Sequence, residues 1–188
     1  MSRPLFEHVL GAAFAGLQSR LQALHSIAER QHWCGRGEVL RGTHWLVVPC
    51  AWLARLPPGA TDVPVSVEFV VDASGEHWNR HFGDVRMASR LWQRDGHLFE
   101  RLGALRFRFA LEVVDGEILW RAARAWAFGI VPLPARWFAG VQCREREREG
   151  RYEFLVDVSM PWLGRLIRYE GWLLPEENRG QSRISPRP

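Results

Sequence analysis

From residue 62 onward, apolar and polar side chains trade places at every step, and this period of two limits the chain's folds most. Val63, Val65, Val67, Phe69 and Val71 alternate with Pro64, Ser66 and Glu68. Leu105, Phe107, Phe109, Leu111 and Val113 alternate with Arg106, Arg108 and Glu112. Tyr152, Phe154, Val156 and Val158 alternate with Arg151, Glu153 and Asp157. Successive strand residues point to opposite faces, so each run predicts a strand with one dry and one wet face, as in an antiparallel sheet. Ser74-Gly75, Asp95-Gly96, Asp115-Gly116 and Gly150 lie between the runs, and Asp-Gly supplies the positive φ that a two-residue turn requires. No helical pattern interrupts the series to provide a parallel crossover. The fold expected is mainly β: an antiparallel meander of about eight to ten strands that curls into a barrel or half-barrel, because closure removes exposed edges.

Before the meander, Leu5, Phe6, Val9, Leu10, Phe14, Leu17, Leu21, Leu24 and Ile27 recur at helical spacing. They predict one N-terminal helix over residues 4–30, starting at Pro4 and weakened by Gly11 and Gly16, that covers a barrel end or the concave face. The layout expected is a single globular domain, 1–177, with the β-meander over 36–175. Residues 178–188 have no periodic apolar content and read as a disordered tail.

All 25 basic residues are Arg, and the net charge is +4. The densest cluster, Arg144 to Arg148, is interleaved with Glu145 and Glu147, and no basic stripe emerges, which argues against a nucleic-acid partner. Cys34, Cys50 and Cys143 are odd in number and lack CxxC spacing, so neither a disulfide scaffold nor a zinc site is expected. Free thiols and a polar-broken N-terminus point to the cytoplasm, and the apolar runs Trp45–Leu53 and Ala125–Ala135 are too short to span a bilayer. His77 and His81 would share a helix face, but on a strand they stand too far apart for one metal. There is no GxSxG elbow, phosphate loop or HExxH, and Gly35-Arg36-Gly37 lacks the rest of a dinucleotide fingerprint. No cofactor, metal or catalytic residue is expected, although a lone interior acid or base is compatible with the pattern.

Turns of a meander alternate between its two ends. The apolar connectors Gly129–Gly140 and Met160–Gly164 are separated by one turn, at Gly150, and must share an end. The connector Trp45–Pro58 joins them there if Gly83 and Gly103 are both turns or neither is. Loops are normally polar, so oily connectors gathered at one end imply a plug, a mouth for an apolar ligand, or a docking surface. Strand parity sets Arg80 between Trp78 and Phe82, and Arg124 among Trp120, Trp126 and Phe128. A charge in such surroundings faces outward, pairs with a Glu such as Glu68 or Glu170, or meets the anionic head of an amphiphile.

Several strings resemble the bacterial domain-of-unknown-function family 4166. They are Leu5-Phe6-Glu7 through His25, Asp62 to Phe69, Trp78 to Gly83 with Ser89, Gly129 to Pro134, and Arg168-Tyr169-Glu170-Gly171-Trp172-Leu173. In that family the domain occurs alone, behind a saccharopine-dehydrogenase-like or short-chain-reductase domain, or beside a membrane segment. The resemblance implies a module that works with an oxidoreductase or at a membrane, and supplies no reaction.

The reading is a non-catalytic barrel enclosing a small apolar or amphipathic, lipid-like ligand. Arg80 and Tyr169 are its polar anchors and His25 a hydrogen-bonding group under the helix. Trp78, Phe107, Phe109, Trp126 and Tyr152 form its apolar wall. The alternative is an accessory domain whose loops, at Leu133, Trp137 and Trp162, dock an NAD(P)-dependent oxidoreductase in trans or a membrane surface, peripherally.

Overall fold

A computed structural model of the chain describes residues 3–176, so the expectation for 178–188 lies outside the described residues. The strands are β1 (Arg30–Arg41), β2 (Ala60–Asp72), β3 (Gly75–Phe82), β4 (Val85–Arg94), β5 (His97–Leu102) and β6 (Leu105–Val114). They continue with β7 (Glu117–Ala127), β8 (Val131–Leu133), β9 (Gly140–Arg148), β10 (Arg151–Met160) and β11 (Gly164–Pro175). Every pairing is antiparallel. β1 pairs with β11, and β7 pairs with both β6 and β9, which closes a ten-stranded barrel with short β8 appended to β7. Where β1 and β11 cross, a Cβ on Gly171 would run into the Arg36 carbonyl and the Gly37 backbone. The Gly-Arg-Gly string therefore serves backbone approach in a tightly bent wall.

The N-terminal region departs from the single helix expected over 4–30. Residues Leu5–Leu10 form α1, Gly11–Gly16 tighten into a 3₁₀ turn, and α2 spans Ser19–His25. Gly11 takes a φ of 57°, which ends α1. The meander then begins at Arg30, not at 36, with Trp33, Gly35, Gly37 and Val39 facing inward. It is also interrupted by α3 (Val47–Ala54), which the sequence reading treats as a plain connector.

Both Gly83 and Gly103 are tight turns with φ near +57° and +56°. The three apolar connectors consequently meet at one end, here the mouth: α3, the β7–β9 segment and the loop between β10 and β11. The helical region closes the opposite end. Gln18 N donates to the Gly116 carbonyl (3.0 Å) and Arg20 Nε to the Gly150 carbonyl (2.8 Å), fixing α2 on the Asp115-Gly116 and Glu149-Gly150 turns. Phe6 plugs that end, stacked on His25 at 3.7 Å and packed on Trp78 and Trp120. No helix among the described residues is long and apolar enough to cross a membrane.

Candidate functional site

The barrel interior is filled in its helical half and hollow toward the mouth. The hollow is a cavity of about 230 Å³, below the ~300–1,000 Å³ common for drug-sized ligands. Its walls come from three sources: α3 and the residues just after it (Leu53, Leu56), the barrel strands (Phe107, Val156) and the mouth loops (Trp137, Trp162). The polar side chains reaching it are Cys50 on α3 and, on the barrel strands, Glu100, Cys143 and Tyr169, the last of which also borders the filled half. A smaller void of about 40 Å³ lies deeper, lined by Trp78, Arg80, Glu145, Tyr152 and Tyr169 among others. Tyr169 thus borders both spaces.

Beneath the cavity runs a line of buried polar groups that strand parity places inside. Arg80 donates to Ser89 Oγ (2.8 Å), pairs with Glu100 at 3.5 Å, and lies 4.7 Å above the Trp78 ring. A 2.6 Å hydrogen bond joins His25 Nε2 and Glu145 Oε2, and His25 is wholly buried. Tyr152 donates to the same Glu145, and burial followed by that carboxylate's charge holds its phenol well above the usual range. Glu76 accepts from Trp78 Nε1 at 3.1 Å. Burial pushes the Glu76 carboxyl above the ordinary carboxylate value, although hydrogen bonds from Trp78 and from the Leu5 backbone oppose it. Burial also raises the Tyr169 phenol and the Cys143 thiol, with Glu100 and Glu145 adding to both, so each carries its proton at neutral pH.

The structure brings His25, Trp78, Arg80, Tyr152 and Tyr169 together in the deep half, and Phe107, Phe109 and Tyr169 around the cavity. Trp126 is the exception. A bulge opposite Arg108 and Phe109 adds one residue to β7, so Ala125 turns inward while Trp126 and Arg124 turn outward. Trp126 there lies under the Arg106 guanidinium (4.5 Å), outside the barrel. Of the loop residues, Leu133, Trp137 and Trp162 all line the cavity, and Trp137 meets Trp162 edge to face. Sequence reasoning missed Glu76, Glu100 and Glu145. Each shares parity with apolar neighbours: Trp78 and Phe82 on β3, Leu98 and Leu102 on β5, Val141 and Cys143 on β9. In the Arg-Glu alternation of β9, Glu145 enters the barrel, Glu147 on the same face accepts from Ser19 Oγ and Arg20 N at the start of α2, and the arginines stay out.

The donors that could hold a metal are elsewhere, on the outer face near the helical end. His32, Cys34 and Glu176 have ligand atoms within 4.8 Å of one another, with His32 Nδ1 bonded to Glu176 Oε2. Three mixed N, S and O donors suit zinc with an open fourth position.

A closed antiparallel barrel, capped by helices at one end and hollow at the other, is the class of protein these features define. The family described as "Domain of unknown function (DUF4166)" matches residues 17–173, and the chain belongs to it. No curated protein matches the chain.

Proposed function

We propose that the barrel binds one small apolar or amphipathic molecule in the cavity at its mouth. The observation that carries this is the cavity's composition: aliphatic and aromatic walls around a few polar groups. Burying an apolar chain there is worth about 0.8 kcal/mol per methylene. Tyr169 and Glu100 offer a hydrogen-bond donor and an acceptor to the polar end of such a molecule. Arg80 reads differently from a free anion anchor, because Glu100 already neutralises it. A neutral or hydroxyl-bearing head fits this floor better than a carboxylate.

Native mass spectrometry of the protein purified from its own host tests the reading, together with titration of a dansyl fatty alcohol. Bound mass, or probe fluorescence that Phe107→Trp abolishes by filling the cavity, supports it. Bare polypeptide that takes up no probe overturns it.

The second reading, a docking domain, is favoured by the exposed apolar side chains around the same mouth. Trp52, Ile130 and Trp45 are 80%, 79% and 74% exposed.

A further inference from the structure

The mouth carries two surfaces that, apart from Trp162, lie outside the cavity wall. The first is its rim. Trp45, Val48 and Trp52 project from α3 and the segment before it, Phe128 and Ile130 from the turn after β7, and Trp162 from the loop before β11. α3 is apolar on every side: Val47, Ala51 and Ala54 face the barrel, while Val48 and Trp52 face away from it. A helix apolar all round ordinarily has a partner on each face.

The second is a groove of about 590 Å³ on the outer wall over β3, β4 and β5. It is lined by Arg55, Arg86, Arg90, Arg101, His77 and Asn79, with no carboxylate among its lining residues. Arg90 and Arg101 stand directly opposite each other across β4 and β5, and Arg101 stands opposite Arg106 across β5 and β6. Like charges in facing positions are destabilising unless an anion lies between them. The carboxylates nearest the groove flank its β2 side, where Asp72 pairs with His77 and Glu68 with Arg30, and neither is paired with Arg55, Arg86, Arg90 or Arg101. The groove is continuous with the rim. Arg55 caps α3, whose C-terminal turn is held on the β5–β6 turn by a hydrogen bond from Ala104 N to the Leu53 carbonyl (3.1 Å).

We propose that this end of the barrel docks on an anionic lipid bilayer, with the rim seated among the acyl chains and the arginine groove on the phosphate headgroups beside it. Charge complementarity selects the occupant. Aromatic and aliphatic side chains flanked by arginines suit the boundary between headgroups and acyl chains, and each basic residue near an anionic surface adds about 1 kcal/mol. Single-stranded nucleic acid fits less well, since its bases would need open aromatic faces beside the arginines of the groove, and the exposed Trp45, Trp52 and Phe128 stand on the rim instead. In that part of the wall Arg90 lies over the Trp92 ring at 4.9 Å, and the same indole is stacked on Phe99. The proposal rests on the ligand-binding reading in one respect: the mouth set against the bilayer is the mouth of that cavity.

Flotation of the full chain with phosphatidylcholine vesicles, with and without phosphatidylglycerol, tests it. The protein should float with the anionic vesicles, and added salt should weaken this. Arg86→Glu with Arg101→Glu should lower partitioning by on the order of tenfold or more. Trp52→Ser with Ile130→Ser should lower it on both kinds of vesicle. All four positions are at the surface, and circular dichroism checks that the variants fold; Arg86→Gln with Arg101→Gln serves if the reversal does not. Wild-type protein that fails to float, charge-reversed protein that floats unchanged, or displacement from vesicles by a single-stranded oligonucleotide overturns the proposal. The dansyl alcohol titration without vesicles keeps the two readings apart. Probe binding without flotation sinks the docking proposal alone, and flotation without probe binding sinks the cavity reading alone.

Discussion

Glu76, Glu100 and Glu145 enter an interior built mostly from aliphatic and aromatic side chains, and each is tolerated for a different reason. Glu145 is bonded to His25 and Tyr152, and Glu100 faces Arg80. Glu76 has no cation bonded to it and keeps one oxygen, Oε1, without a hydrogen-bond partner among the described residues. Its carboxyl is raised by burial, so the folded state holds the proton more tightly than the unfolded chain does. No penalty arises below the unfolded value; the penalty grows as pH rises from there through the folded value, and it persists at higher pH. Glu76→Gln keeps an acceptor for Trp78 and should raise Tm more at pH 8 than at pH 4, by about 2–4 °C per kcal/mol recovered. A Tm gain equal at both pH values in thermal melts would contradict this origin. Arg80→Met should cost about 3–5 kcal/mol in urea unfolding, because it leaves Glu100 buried without its cation. Adding Glu100→Gln should recover much of that loss. The inward placement of Arg80 was legible from parity between Trp78 and Phe82. Its partner was not, because Glu100 lies two strands away and only the registers of β3 with β4 and β4 with β5 bring it near.

At the scale of elements, alternation marked most strands and missed what breaks alternation. The extra residue in β7 reverses every side chain after Ala123, so Trp126 was assigned to the wrong face. Nothing in the run Arg121 to Ala127 announces a bulge, since Ala122 and Ala123 suit either face. The short α3 was equally hidden: an apolar run of eight residues containing Pro49 reads the same as a buried connector. Its position depends on Gly103, where φ is +56° and a Cβ would stand 2.5 Å from the Leu53 carbonyl. Gly103→Ala should cost about 1–3 kcal/mol from the left-handed backbone alone. It should also push α3 off the mouth and weaken dansyl alcohol binding. Urea unfolding and probe titration read the two effects separately, and an unaltered probe affinity would show that α3 is no part of the wall.

For the molecule as a whole, turn parity was enough to assemble the mouth, because Gly83 and Gly103 both proved to be turns. A thiol now reports on that mouth. Cys50 on α3 and Cys143 on β9 both line the cavity, whereas Cys34 lies on the outer wall. Saturating dansyl alcohol should slow alkylation of Cys50 and leave Cys34 unaffected, as read by mass spectrometry, while Cys143, which keeps its proton, should stay unreacted in the folded barrel. An unchanged alkylation rate at Cys50 would mean that the probe sits elsewhere. The joint between β1 and β11 has a further bearing, on how the protein is made. Nine of the barrel's ten neighbouring pairs are joined by a turn or a single connector, but this seam unites residues 33–41 with 167–175. On a translating ribosome, β1 must wait with one flank bare until nearly the last strand emerges, and in that interval another nascent copy could take the vacant place.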